Sequence, residues 1–188
     1  PMPPSVLLLI DVQQGLDATY WGKRNNPQAE QQMARLLAAW REKQWPVVHV
    51  KHHSTNPKSP LRPEQPGCQI KPEVQPLPGE LLFTKTVNSA FIGTDLENYL
   101  RENDFSKLVV VGLTTDHCVS TSVRIAGNLG FDVQLVADAT ATFERTGVDG
   151  QSITAEEMHQ IHLASLHQEF CTVVTTEELL TTLSLLNK

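Results

Sequence analysis

Short apolar runs, separated by segments with helical spacing of apolar and polar residues, recur along the whole chain. The first run, Val6 to Ile10, is continuously apolar, which is typical of a strand buried on both faces of a sheet. Apolar residues at helical spacing follow it, and Pro46 ends that segment before a second apolar run at residues 47–50. The same alternation predicts further strands at residues 81–84, 107–111, 131–137 and 171–174.

Capping residues mark the predicted helix boundaries. Thr94 and Thr154 each stand three residues before a glutamate, which is the form of a capping box. Thr175 is placed to cap the last helix, and Asn26 is a candidate cap for the first. Gly130 suits the position just beyond a helix end.

This alternation of strands and helices determines the predicted fold. Successive parallel strands need crossover connections, and right-handed helical crossovers place helices on both faces of the sheet. The sequence therefore predicts one domain over residues 1–188, of the α/β class: a three-layer α/β/α sandwich with a six-stranded, mainly parallel sheet.

Residues 54–79 depart from the alternation. They contain seven of the twelve prolines of the chain, a density that no helix tolerates. We therefore expect a long ordered loop. Such loops in compact domains are usually functional or disordered, and a solvated excursion without a role is the alternative.

Composition narrows the classes of function. Of the 188 residues, 40% are hydrophobic and 19% are charged, and the net charge is −6. That charge argues against a nucleic-acid partner, and no apolar run is long enough to span a membrane. The N-terminal residues lack the pattern of a signal peptide. The three cysteines form an odd set without C-x-x-C spacing, which favours a reduced, cytoplasmic protein.

Three reactive side chains fall where strands are predicted to end. Asp11 directly follows the first strand and Lys85 directly follows the third. Cys118 lies six residues beyond Gly112, where a helix is predicted to begin. In open α/β sheets, binding sites form at the carboxyl ends of the strands. We therefore expect these three side chains to meet at one edge of the sheet.

Each of these residues also has an ordinary structural explanation. An aspartate after a strand often forms a turn, a lysine there is usually solvated, and a cysteine can be a small core residue. Together, however, they supply a base, a cation and a nucleophile. A helix N-terminus and an ammonium lower the pKa of a thiol, so we expect Cys118 to have a low pKa. A carboxylate can accept the thiol proton and later give it to the leaving group.

The segments around these residues resemble the isochorismatase-like cysteine hydrolase superfamily. The sequence LLIDVQ at residues 8–13 is similar to its opening motif, and GLTTDHCV at residues 112–119 is similar to its nucleophile loop. Lys85, with SAF at residues 89–91, matches its lysine region. The resemblance covers essentially the whole chain.

The resemblance implies a hydrolase with Asp11, Lys85 and Cys118 as its catalytic triad. Cys118 would attack a carbonyl carbon and form a thioester as ammonia or an amine leaves. Asp11 would be general base and acid, and Lys85 would hold Asp11 and favour the thiolate. The Leu113–Thr114 peptide bond would be cis, and the backbone N–H groups of Thr114 and Cys118 would form the oxyanion hole.

Histidines near the second strand raise the question of a metal site, because histidine clusters bind zinc. His49, His52 and His53 are close in sequence. Nicotinamidases, which are similar in sequence, carry an Asp-x-His arrangement where this chain has Lys51-His52-His53. A lysine in place of the carboxylate removes a ligand and repels a cation. We therefore predict no metal and no other cofactor, and the roles of these histidines and of His117 stay open.

Candidate pocket residues can be named, although each has a place in the core as its alternative. They are Gln13, Leu16, Trp21, Phe91 and Phe143. The presence of Cys118 favours acyl chemistry, so the primary hypothesis is cleavage of a small amide, carbamoyl or ureido C–N bond. One alternative is an isochorismatase-type vinyl-ether hydrolase that uses Asp11 without covalent catalysis. The other is a non-enzymatic relative that binds a metabolite or a partner protein.

The expected partners are a small-molecule substrate, which the sequence does not identify, and further copies of the chain. The resemblance implies a homo-oligomer, a dimer or larger. The helices from Thr154 onward and the proline-rich loop are the candidate contact surfaces.

Overall fold

One six-stranded parallel sheet forms the centre of the molecule. The structure is a computed structural model, and it describes residues 3–186. The strand order is β3-β2-β1-β4-β5-β8, and every neighbouring pair is parallel. The strands are β1 (Val6–Ile10), β2 (Val47–His52), β3 (Leu81–Lys85), β4 (Lys107–Leu113), β5 (Asp132–Ala141) and β8 (Thr172–Val174). A separate hairpin pairs β6 (Arg145–Thr146) with β7 (Ser152–Ile153).

Helices cover both faces of this sheet, which confirms the predicted three-layer α/β/α architecture. The helices are α1 (Ala29–Lys43), α2 (Leu96–Glu102), α3 (Ser120–Asn128), α4 (Ala155–Leu166) and α5 (Thr176–Leu185). Alternate residues of β1 point to opposite faces, because the side-chain period of a strand is two. Leu7 and Leu9 pack in the core under α1 and α5, whereas Leu8 and Ile10 pack under α2, α3 and α4. Within residues 3–186, no helix could cross a membrane.

Neither Asn26 nor Thr94 occupies the N-cap position predicted for it. Helix α1 has Gln28 at its N-cap position, while Asn26 donates from Nδ2 to the carbonyl of Thr140 at 2.8 Å. Helix α2 has Asp95 at its N-cap position. The Thr94 hydroxyl donates to the Ala90 carbonyl at 2.6 Å and accepts a long hydrogen bond of 3.4 Å from the Leu96 N–H, so it still satisfies one N–H of the first turn.

The caps predicted for the last two helices are confirmed. Thr154 and Glu157 form a complete capping box at the start of α4. The Thr175 side chain accepts a hydrogen bond from the Glu178 N–H at the start of α5. Gly130 follows α3 with φ of 92°, as the residue beyond a helix end commonly does.

The proline-rich segment is ordered and contains two short 3₁₀ helices, Pro66–Cys68 and Pro72–Val74. A buried ion cluster holds it against α1. The Lys71 ammonium lies 2.7 Å from carboxylate oxygens of both Asp17 and Glu30, and Arg24 also pairs with Glu30. The segment thereby reaches the carboxyl edge of the sheet, where the reactive residues lie.

Candidate active site

The structure brings Asp11, Lys85 and Cys118 together at the carboxyl edge of the sheet. Lys85 Nζ donates to Asp11 Oδ2 at 2.9 Å and to Cys118 Sγ at 3.3 Å. Asp11 and Lys85 are buried, whereas Cys118 is half-buried. Side chains from three distant segments therefore form one hydrogen-bonded cluster.

The backbone beneath Asp11 takes an uncommon form. Asp11 has φ of 56°, in the left-handed region that aspartate tolerates better than most residues. Gly112 in β4 has φ of 136°, and a Cβ atom there would lie 2.1 Å from the Ile10 carbonyl oxygen. Only glycine therefore allows β4 to approach the residue that precedes Asp11.

Lys85 has more acceptors than protons. Besides Asp11 and Cys118, the carbonyl of Val87 lies 3.1 Å from Nζ and His52 Nδ1 lies 2.9 Å from it. Burial, and then the charge of Lys85, lower the pKa of His52, so the ring is neutral and accepts from the ammonium. Asp11, His52 and Cys118 place ligand-type atoms within 4.8 Å of one another. The Lys85 ammonium is hydrogen-bonded to all three of these groups, so it occupies the atoms that would act as ligands if a metal ion were bound here.

The protonation state of Cys118 differs from the sequence prediction. Burial of the thiol and the negative charge of Asp11 raise the pKa of Cys118 to about 12, and Lys85 offsets only part of this. The expected low pKa is therefore wrong, because the sulfur lies inside the cleft and against a carboxylate. Asp11 Oδ1 is buried and has no hydrogen-bond partner among residues 3–186, so it is available to accept the thiol proton.

The nucleophile loop is held from α4 and from the β6–β7 hairpin. The Leu113–Thr114 peptide bond is cis, as expected. A π-helical turn at Thr115–Val119 carries Cys118, and α3 begins only at Ser120. Thr115 Oγ1 lies 2.7 Å from Nδ1 of the buried His159. This contact holds the nucleophile loop against α4 at Thr115, three residues before Cys118.

Arg145 is a site residue that the sequence did not indicate. Its guanidinium donates to both carboxylate oxygens of Asp116, at 2.9 Å from Nε and 3.1 Å from Nη2. Burial would raise the pKa of Asp116, but bonds from Arg145 and Thr142 outweigh it and lower this pKa to about 2. No sequence motif marks Arg145, because its contact with Asp116 depends on the position of the β6–β7 hairpin in the folded chain.

A cavity of about 220 Å³ opens above the cluster. Leu16 and Trp21 line it, as predicted, and so do His52 and Arg145. The other lining residues are Asp11, Tyr20, Ser54, Asn56, Ser59, Leu61, Asn88, Leu113, Thr114, His117 and Cys118. The proline-rich segment therefore contributes part of the wall.

The three other residues considered for the pocket lie outside its lining. Gln13 is fully buried, and its side-chain amide exchanges two hydrogen bonds of 2.9 Å with the main chain of His52. Phe143 is buried and stacks on Trp21, with ring centroids 6.0 Å apart. Phe91 packs on Phe131 in the core under α2–α4. Gln13 and Phe143 thus support the cavity-lining residues His52 and Trp21, whereas Phe91 is a core residue.

His49, His117 and the two other cysteines are not part of the hydrogen-bonded cluster, although Cys68 Sγ donates to the His52 carbonyl at 3.6 Å. His49 is buried and pairs with Glu80 at 3.0 Å. His117 is exposed at the cavity wall and lies 3.5 Å from Arg145. Cys68 and Cys171 are buried, and burial raises the pKa of both thiols.

Comparison with known proteins agrees with this arrangement. The model of the isochorismatase domain matches residues 5–178. An isochorismatase family protein from Bacillus subtilis is 46% identical over 174 residues, 93% of each chain. A secreted isochorismatase effector from Verticillium dahliae is 32% identical over 177 residues, covering 93% of this chain and 90% of that one.

Solved structures give the same result. The crystal structure of a putative hydrolase of the isochorismatase family from Chromobacterium violaceum superposes with a TM-score of 0.94 and 47% identity over 98% of each chain. That of a putative isochorismatase hydrolase from Oleispira antarctica superposes with a TM-score of 0.88 and 31% identity, over 96% of this chain and 100% of that one. The chain therefore belongs to the isochorismatase family of hydrolases.

Proposed function

We propose that the protein is a metal-independent cysteine amidohydrolase that cleaves a small amide, carbamoyl or ureido C–N bond through a thioester on Cys118. The observation that carries this proposal is the position of the Lys85 ammonium, within hydrogen-bond distance of both Asp11 and Cys118. A nucleophile and a base with a free oxygen then line one small cavity, and the buried cation pairs with both of them. These are the components that a thioester mechanism needs.

In the first half-reaction, Cys118 Sγ attacks the carbonyl carbon while its proton passes to Asp11. The backbone N–H groups of Thr114 and Cys118 receive the oxyanion, and one such donor is worth about 2.7–4 kcal/mol in the transition state. Asp11 then returns the proton to the leaving nitrogen as the C–N bond breaks. The Lys85 ammonium stabilises the negative charge, whether Asp11 or Cys118 carries it.

In the second half-reaction, water attacks the thioester carbon and gives a proton to Asp11. The C–S bond breaks, the acid is released, and Cys118 recovers its proton from Asp11. The raised pKa of Cys118 makes this reprotonation favourable, so the resting enzyme returns to the thiol form.

The name of one more distant relative supports amide chemistry, and the name of another supports hydrolysis. A ureidoacrylate amidohydrolase from Agrobacterium fabrum is 39% identical over 71 residues, which are 38% of this chain and 31% of that protein. A streptothricin hydrolase from Streptomyces noursei is 33% identical over 141 residues, 73% of this chain and 50% of that protein.

The test of the proposal is a screen of small amides, carbamoyl compounds and ureas, with detection of released ammonia or amine. We expect at least one substrate, and we expect acid-quenched turnover mixtures to contain protein whose mass is increased by the acyl group. Peptide mapping should place that group on Cys118. Turnover of a vinyl ether without any amide turnover would overturn the proposal.

Two further predictions concern the setting of the enzyme. The homo-oligomer stays a prediction, supported by Ile161, which α4 leaves 62% exposed. Light scattering that gives the monomer mass of 20.9 kDa at micromolar concentration would contradict it. A cytoplasmic location also stays a prediction, and the Verticillium dahliae relative is described as secreted.

A further inference from the structure

Asn88 lies at the mouth of the cavity, directly against the nucleophile. Its side chain is exposed, lines the cavity and donates from Nδ2 to Cys118 Sγ at 3.6 Å. Among residues 3–186 this is the one hydrogen bond of the Asn88 side chain, so its Oδ1 has no protein donor. A substrate carbonyl that reaches the sulfur therefore comes close to an unused amide acceptor.

The backbone on both sides of Asn88 is fixed, although the side chain itself is exposed. The Val87 carbonyl accepts a hydrogen bond from Lys85 at 3.1 Å. The Ala90 N–H donates to Ser122 Oγ in α3 at 3.0 Å, and the intervening Ser89 is buried. The same lysine and helix that hold the nucleophile thus also hold Asn88, which places its amide in advance of binding.

The chemistry of an amide substrate leaves a role for this acceptor. In the proposed mechanism, backbone N–H groups receive the carbonyl oxygen and Asp11 handles the proton. A carboxamide or ureido group also has an N–H on its leaving nitrogen, which an ester lacks. Asp11 Oδ1 is also unpaired, but it handles the proton. At the mouth beside Cys118, Asn88 Oδ1 is a further acceptor without a donor among residues 3–186, and it is available to this N–H.

We propose that Asn88 contacts the substrate and selects carboxamide and ureido groups over esters, by accepting a hydrogen bond at Oδ1 from the leaving nitrogen. This inference rests on the proposed amidohydrolase function. A bound ester excludes water from Asn88 Oδ1 but offers it no N–H. Because an acceptor without a donor costs free energy, the ester is disfavoured relative to the amide. Because Asn88 lies at the open mouth, we expect an effect of about tenfold, as for one ordinary hydrogen bond.

Two variants of nearly equal size test the proposal on an amide and an ester that share one acyl group. Asn88→Leu removes donor and acceptor, and should lower kcat/KM for the amide about tenfold and for the ester less than about twofold. Asn88→Asp retains an acceptor, so its ratio of amide to ester rates should stay near that of the wild type. Asn98→Leu, an exposed asparagine on α2, is the control and should change neither rate. Equal losses of Asn88→Leu on both substrates, or no loss on either, would overturn the proposal.

A second measurement needs no substrate and separates this inference from the proposed function. Cys118 is alkylated with iodoacetamide, which carries a carboxamide, and with methyl iodoacetate, its ester counterpart. Each rate is divided by that of glutathione with the same reagent. The wild type should favour iodoacetamide several-fold, as one hydrogen bond allows, and Asn88→Leu should lose that preference. A ratio that does not change in Asn88→Leu would refute the role of Asn88. Failure of the wild type to hydrolyse any amide or ester would instead refute the proposed function.

Discussion

The negative charge of Asp11 raises the pKa of the Cys118 thiol, although the same carboxylate is placed to remove the thiol proton. The two groups therefore share one proton, which stays on sulfur while the site is at rest. Only the free Oδ1 of Asp11 is available to receive it as the carbonyl is attacked. In the proposed mechanism, the thiolate would therefore form only when a substrate is present.

Charge variants of the cluster should change the reactivity of the thiol in opposite directions. Asp11→Asn removes the negative charge that disfavours a thiolate, so the pKa of Cys118 should fall and alkylation near pH 8 should become faster. Lys85→Met removes the cation that favours the thiolate, so the pKa should rise and alkylation should slow. Rates of iodoacetamide labelling between about pH 6 and pH 10, assigned by peptide mass mapping, measure both effects.

Cys171 serves as the internal control in that experiment. It is buried and burial alone raises its pKa, so its labelling rate should respond to neither variant. A wild-type profile for Cys118 that is already at its plateau below pH 7 would contradict the raised pKa.

The layers and strand positions could be predicted because they depend on local patterns. The apolar run of β1 has to be buried on both faces, and Thr154 caps α4 through a residue three positions away. The failed cap at Asn26 shows the limit of this reasoning. Its acceptor, the Thr140 carbonyl, is 114 residues away in sequence, so no local pattern contains that contact.

The site was predictable to the extent that motifs mark it. Asp11, Lys85 and Cys118 follow strand ends in recognisable segments, and the structure brings them together. The pKa of the thiol was not predictable, because the cost of burying a charge depends on the walls around the sulfur. Arg145 carries no motif, and its approach to the cavity depends on tertiary packing. Asn88 lies between Lys85 and the SAF segment, but the resemblance assigns no role to it.

Treatment with a chelator should leave hydrolysis unchanged. The groups that could hold a metal, Asp11, His52 and Cys118, already surround the Lys85 ammonium. A divalent cation would have to displace that charge or lie beside it. Turnover is measured after prolonged dialysis against EDTA, and again after addition of zinc, iron or manganese. A loss of activity that one of these metals restores would show that the enzyme is metal-dependent.

The ion cluster at Glu30 should make the free energy of unfolding depend on pH in the acidic range. Burial would raise the pKa of Glu30, but Arg24 and Lys71 lower it to about 2. Because this pKa lies below its ordinary value of 4.5, the carboxylate stabilises the fold above about pH 4.5 and loses that effect as the pH falls towards 2. Glu30→Gln should lower the free energy of unfolding by about 3 kcal/mol at pH 7 and by about half of that near pH 3.

Urea unfolding at the two pH values tests this, with Glu97→Gln as the matched control. Glu97 pairs with Arg101 on the surface of α2, where both side chains are more than 40% exposed. Its loss should cost less than about 0.5 kcal/mol at either pH. The same cost for Glu30→Gln at pH 7 and at pH 3 would show that the ion pairs do not cause the effect.

Turnover of the triad variants distinguishes the thioester mechanism from the vinyl-ether alternative. Cys118→Ala removes the atom that forms the bond, so amide turnover should fall to background while substrate can still bind. Asp11→Asn cannot accept the thiol proton, and positioned proton transfer is worth about 10²–10⁴-fold. Residues that act as one unit are not additive, so the double variant should be little worse than Cys118→Ala alone.

In the non-covalent alternative, Asp11 protonates the substrate directly and the sulfur is a bystander. The free Oδ1 of Asp11 would also serve that reaction. The kinetics of the two mechanisms differ, because Asp11→Asn would still abolish activity whereas Cys118→Ala would keep a substantial part of it. All variants are therefore compared on one identified substrate, with binding measured separately by calorimetry. A Cys118→Ala enzyme that retains more than about a tenth of the wild-type rate is incompatible with a thioester on Cys118, since loss of a nucleophile costs several orders of magnitude.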